Sequence, residues 1–167
     1  MAANGRRKRL ALDTNLLLDL AAGENFALEF TEVFQERGYA FIIPPTVGVE
    51  LRWKHKYESD PAKRSLAQQA LLRLRQWDFR IIDLPDVKLT LAEQFARRLL
   101  LHQLLPEEEF NDGLILGETA QAGIALLVTS DKHLLGIDED ALLLAFHDAE
   151  LPPVRAAHPK RLLRALR

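Results

Sequence analysis

At 167 residues, with 48% hydrophobic and 28% charged side chains, the chain has the balance of one globular domain with a sizeable core. No apolar run approaches the roughly 20 residues of a membrane span, and the start, MAANGRRKRL, carries basic residues without the apolar stretch of a signal peptide. The net charge of −2 argues against a molecule that is basic all over. The absence of cysteine removes disulfides, thiolate zinc sites and thiol nucleophiles together and suits a reducing cytoplasm.

Charge is unevenly spread. Arg6, Arg7, Lys8 and Arg9 open the chain, and residues 151–167 carry five Lys or Arg with no acid. Between residues 99 and 150 the only Lys or Arg is Lys132, among many acids. Such a pattern can set an anionic pocket beside a cationic rim, although charged termini are also simply solvated. One domain is expected over residues 1–167, with a core at about residues 9–166 and a basic extension over residues 1–8.

In chain order, residues 10–12 read as a short strand that ends at Asp13. Asn25 can cap a helix through Arg37, stopped by Gly38. Residues 39–43 form a strand closed by Pro44 and Pro45. Thr46 can cap the next helix, which carries Val49, Glu50 and Trp53. A helix is expected over residues 61–77, a strand over 79–84 and a helix from Asp86 to about Leu101. Asn111 or Asp112 opens another helix, ended by Gly123. Residues 124–128 are a continuous apolar strand. A short helix over 138–149, an edge strand over 154–157 and a helix from Pro159 complete the chain. Strands alternate with helices and are apolar without alternation, as in strands buried on both faces. The expected fold is therefore an α/β/α sandwich around a mostly parallel sheet.

Two apolar strands run straight into aspartates, in LALDTN and LLVTSD. Ligands of open parallel sheets bind at the carboxyl ends of strands, near the point where strand order reverses. If these strands are neighbours there, Asp13 and Asp131 face one crevice, and Glu50 and Asp112, near the starts of their helices, open on the same edge. Taken singly, each acid has a plain structural role. Asp112 and Glu50 suit helix N-terminal turns, Asp13 suits a turn, and Asp131 suits a cap on KHLL. Four acids at equivalent topological positions point to a shared site. Two like charges about 4 Å apart repel by roughly 4 kcal/mol at an effective dielectric of about 20, so such a cluster calls for protons or a divalent cation. Oxygen ligands without Cys or His suit Mg²⁺ or Mn²⁺.

The blocks LALDTNLLLDL, IIPPTVGVELRW, FNDGLILGETAQAGIALLVTSDKHLL and HPKRLLRAL resemble, in order, those of a PIN domain. These are metal-dependent nucleases that include the VapC toxins of bacterial toxin–antitoxin pairs. The resemblance covers roughly residues 9–166. It implies an acidic quartet at Asp13, Glu50, Asp112 and Asp131, polar helpers at Asn15 beside the first aspartate and at Thr129 or Ser130 beside the last, Mg²⁺ or Mn²⁺, and hydrolysis of single-stranded RNA. The acidic LLPEEEF before Asp112 and residues 136–153 are longer than a minimal toxin needs.

The expected activity is a metal-dependent endoribonuclease in which water attacks phosphorus. Asp13, Asp112 and Asp131 would hold the metal, and Glu50 would complete the shell, hold a second ion or hold the attacking water. Lys132 and Lys54 are candidate phosphate contacts, while Arg52 reads as surface charge. RNA is the expected partner, with an antitoxin protein and a second copy of the chain as candidate protein partners and no membrane. The rival readings are a non-catalytic module that binds RNA or protein on the same fold, and a structure-specific DNA nuclease. A phosphoacceptor receiver domain is disfavoured, because the first strand ends in a lone acid and FIIPPT carries none.

Overall fold

The computed structural model describes residues 8–166. Its sheet has five parallel strands, β1 (Arg9–Leu12), β2 (Ala40–Ile43), β3 (Arg80–Ile81), β4 (Leu126–Val128) and β5 (Arg155–Ala157), in the order β3-β2-β1-β4-β5. The order reverses between β1 and β4, which pair with Leu12 opposite Val128. The helices are α1 (Thr14–Ala21), α2 (Asn25–Glu36), α3 (Pro45–Tyr57), α4 (Pro61–Arg73), α5 (Asp86–Leu101), α6 (Phe110–Gln121), α7 (Lys132–Leu135), α8 (Glu139–Asp148) and α9 (Pro159–Ala165). Right-handed crossovers put the β1–β2 and β2–β3 helices on one face and the β3–β4 and β4–β5 helices on the other, the expected three layers.

Each face has its own aromatic centre. On one, the Phe30 ring lies 4.7 Å from Phe34 and 5.7 Å from Phe41, and Phe41 lies 5.2 Å from Phe79. On the other, Phe95 of α5 stacks on Phe146 of α8 at 4.4 Å. Among the described residues no helix is long and apolar enough to cross a membrane.

Four elements differ from expectation. The chain after Asp13 is a helix, not a turn: the Asp13 carbonyl accepts from Leu17 N, and Leu16, Leu17 and Leu20 bury one face. Thr46 is not a cap. Pro44 holds that position, and the Thr46 N–H and hydroxyl donate to Glu118 of α6 at 2.8 and 2.6 Å. Helix α4 stops at Arg73, and its end is closed by Asp78 in the left-handed region (φ 59°) with Phe79 N donating to Leu74 O, a C-terminal motif that lacks its usual glycine. Strand β3 keeps two residues, because after Ile82 the chain turns toward Pro85, which heads α5 and has no N–H for a ladder. The basic extension lies outside the described residues except for Lys8.

Helices α5 and α6 approach through small residues. A Cβ at Gly117 would sit 2.9 Å from Ala92 Cα, and one at Gly113 would sit 2.9 Å from Ala96 Cβ. Gly117→Ala forces the two backbones apart. It should cost about 1–3 kcal/mol, the usual range for overpacking, read as a lower urea midpoint at unchanged slope. An unshifted midpoint would mean that the interface yields freely.

Candidate active site

At the switch point two strand ends deliver carboxylates side by side. Asp13 follows β1 and is buried, with its N–H donating to Val128 O at 3.0 Å. Asp131 follows β4 by three residues. Thr129 joins them: its hydroxyl donates to Asp13 Oδ2 at 2.6 Å and accepts from Asp131 N at 2.9 Å. Asp131 is also the cap of α7, its Oδ1 accepting from His133 N at 2.7 Å and from Leu134 N at 3.3 Å. Capping and a place in the site are thus compatible for one side chain.

Two helices supply the remaining acids. Asp112 sits in the first turn of α6 and is buried, and its Oδ2 has no hydrogen-bond partner among the described residues. A buried carboxylate oxygen without a partner is costly. Glu50, one turn into α3, accepts from the Thr14 hydroxyl at 2.9 Å. Glu109 ends the 3-10 turn Glu107–Glu109 just before α6, and its carboxylate lies 3.5 Å from His133 Nε2. Oxygens of Glu109, Asp112 and Asp131 all lie within 4.8 Å of one another. With its unpartnered Asp112 oxygen, this all-oxygen group fits a hard divalent cation.

Asp13, Glu50, Asp112 and Asp131 are therefore brought to one edge, as expected. Glu109 was not anticipated. Its signal was the acidic run EEE, which puts it three residues before Asp112, one helical turn away. Asn15, expected beside Asp13, instead donates to Asp131 Oδ2 at 3.4 Å; as the second residue of α1 it is turned toward the end of β4. Ser130, expected beside Asp131, donates to Asp19 Oδ2 at 3.2 Å, and Thr129 alone of the two touches the acids. Lys132 is exposed at the start of α7. Lys54 is half-buried and lies 3.9 Å from Glu58.

Burial dominates the electrostatics. It raises Asp13 to about 6, helped by the charges of Asp131 and Glu109 and opposed by hydrogen bonds from Thr129 and the Thr14 backbone. Glu50 rises to about 7 through burial, with the Thr14 bond opposing and the Asp13 charge adding. Asp112 rises to about 9, from burial first and then from the charges of Asp13 and Asp131 and the adjoining Glu109 carboxyl. Three carboxyls thus hold protons near neutrality that they would release if exposed to water.

The chain belongs to the PIN domain family, a family of nucleases: the family model matches residues 10–140. The VapBC2 structure from Rickettsia felis, bound to a promoter DNA fragment, is similar at a TM-score of 0.61 and 18% identity, covering 90% of this chain and 98% of that one. VapBC-1 from nontypeable Haemophilus influenzae gives 0.57 and 14%, covering 91% and 98%. FitAcB from Neisseria gonorrhoeae gives 0.53 and 15%, covering 90% and 97%. No curated protein matches.

The raised carboxyls set a pH dependence. A group whose folded pKa exceeds its unfolded value binds more protons when native, so its contribution is full below the unfolded value and is lost as pH rises through the folded one. For Asp112 the window runs from 3.8 to about 9. In EDTA, Asp112→Asn should therefore gain stability over the parent progressively from about pH 5 to about pH 8, by at most about 1.4 kcal/mol per pH unit. Thermal midpoints of the two proteins across that range check this, and a difference independent of pH would show that Asp112 ionises freely in the fold.

Proposed function

We propose that the chain is a divalent-metal-dependent endoribonuclease that hydrolyses single-stranded RNA, and that it acts as the toxin of a toxin–antitoxin pair. The observation that carries the reading is the unpartnered, buried oxygen of Asp112, facing Glu109 and Asp131 at the sheet's switch point. Nothing in the fold compensates that atom, and a cation would.

In this reading Asp112, Asp131 and Glu109 hold Mg²⁺ or Mn²⁺, with Asp13 beside them. When bound, the ion supplies charge neutralisation at the phosphodiester and acidifies water. Thr129 holds Asp13 by one oxygen and leaves the other for the site. Glu50 is anchored through Oε1 by Thr14, so its second oxygen remains to orient the attacking water and to take its proton; a value near 7 suits that exchange. Asn15 steadies Asp131. Lys132 and Lys54, on the rims beside Asp131 and Glu50, attract and position phosphates without reading sequence. The antitoxin partner is supported by the VapBC and FitAcB structures that share the fold. A cytoplasmic location accords with an RNA substrate and a chain without cysteine.

Purified protein with Mn²⁺ should cleave unstructured RNA, and EDTA should stop it. Asp112→Asn should lower the rate by more than the roughly 10–100-fold that loss of a supporting partner around a metal costs. Cleavage by that variant at the parental rate would leave Asp112 as a helix-terminal charge only.

Metal should also raise the thermal midpoint, since it binds the folded state. Asp112→Asn combined with Asp131→Asn should abolish the rise. An undiminished rise in the double variant would place the ion elsewhere.

A further inference from the structure

We propose that the exposed stripe of α3 formed by Val49, Trp53 and Tyr57 is a base-stacking platform that leads single-stranded RNA into the acidic site. The proposal rests on the ribonuclease reading and names how that site receives its substrate. Val49, Trp53 and Tyr57 recur every four residues and are 55%, 55% and 66% exposed, an unusual position for two aromatic rings on one helix face. The rings lie with centroids 5.8 Å apart and are tilted by 46°. Glu50 adjoins the stripe, and Val49, Glu50, Trp53, Lys54 and Asn111 line one cleft of about 350 Å³ that opens beside Asp112. From Glu50 to Tyr57 the helix rises by roughly 10 Å, so the stripe runs from the carboxylates outward.

Cations flank it. On the helix surface Lys54 lies on the Glu50 side of the stripe, and Arg52 and Lys56 lie on the other. Aromatic rings bordered by cations are the means by which proteins hold unpaired strands: bases stack and phosphates meet charge, with little dependence on sequence. A second copy of the chain fits less well. A two-fold contact is isologous, so it would set Arg52, Lys54 and Lys56 against their own counterparts.

The test uses the full chain with Trp77→Phe, which leaves Trp53 as the one tryptophan of the two, in Ca²⁺. A short oligouridylate should quench Trp53 fluorescence, and an abasic oligomer of equal charge should not. Trp53→Ala should weaken oligouridylate binding by roughly tenfold or more and leave the salt slope unchanged, because it removes no phosphate contact. Lys54→Gln should lower that slope. Equal quenching by the abasic oligomer, or parental affinity in Trp53→Ala, overturns the platform. So does loss of a dimer in light scattering with RNA affinity unmoved, which assigns the stripe to a second copy. If Trp53→Ala cleaves with unchanged KM while Asp112→Asn does not cleave, the nuclease reading stands and the platform falls. A parent chain that neither binds nor cleaves RNA removes both.

Discussion

The hydroxyl of Thr129 holds the two halves of the site together. It gives its proton to Asp13 and takes one from the backbone of Asp131, so a single atom sets the distance between the ends of β1 and β4. A hydroxyl can do this because it donates and accepts at once. Valine, of similar shape, could do neither. The bridge is possible only because β1 and β4 are neighbours, and they are neighbours because the strand order reverses there. Topology brings the strand ends together, and one side chain then defines their spacing.

Around that bridge the fold works against itself. Asp13 and Asp112 are buried, Glu50 is half-buried, and burial raises all three. The surrounding structure carries the cost. The close α5–α6 contact and the two aromatic centres keep the acids in place against their own repulsion. This is the usual relation between a strained polar site and a well-packed scaffold: local destabilisation persists where packing elsewhere over-determines the geometry.

The sequence shows the alternation of strands and helices, and α5 begins at Asp86 and ends at Leu101 as the capping pattern indicates, since Pro85 and the helical spacing mark it plainly. Asp13, Glu50, Asp112 and Asp131 are legible for the same reason: each stands next to an element boundary that local signals define. What escaped is tertiary. Glu109 looks like one acid in an acidic run, and only the 3-10 turn that aims it at Asp112 sets it apart from Glu107 and Glu108. Thr14 and Glu50 lie 36 residues apart and Thr46 and Glu118 lie 72 apart, and no local pattern joins such pairs. Asn15 and Ser130 were placed in the right neighbourhood with different partners, because the rotation of α1 decides which aspartate Asn15 reaches.

The bond between Thr46 and Glu118 has a consequence for how this protein can change over generations. Glu118, on α6, serves the first turn of α3, and so ties the helix that carries Glu50 to the helix that carries Asp112. That clamp lies apart from the reactive carboxylates and does not depend on them. Lineages that lose the chemistry can therefore keep the shape, and relief from crowded negative charge even favours their persistence. A scaffold of this kind releases inert descendants as intact, soluble proteins, free to be recruited for holding a partner where the ancestor cut a strand.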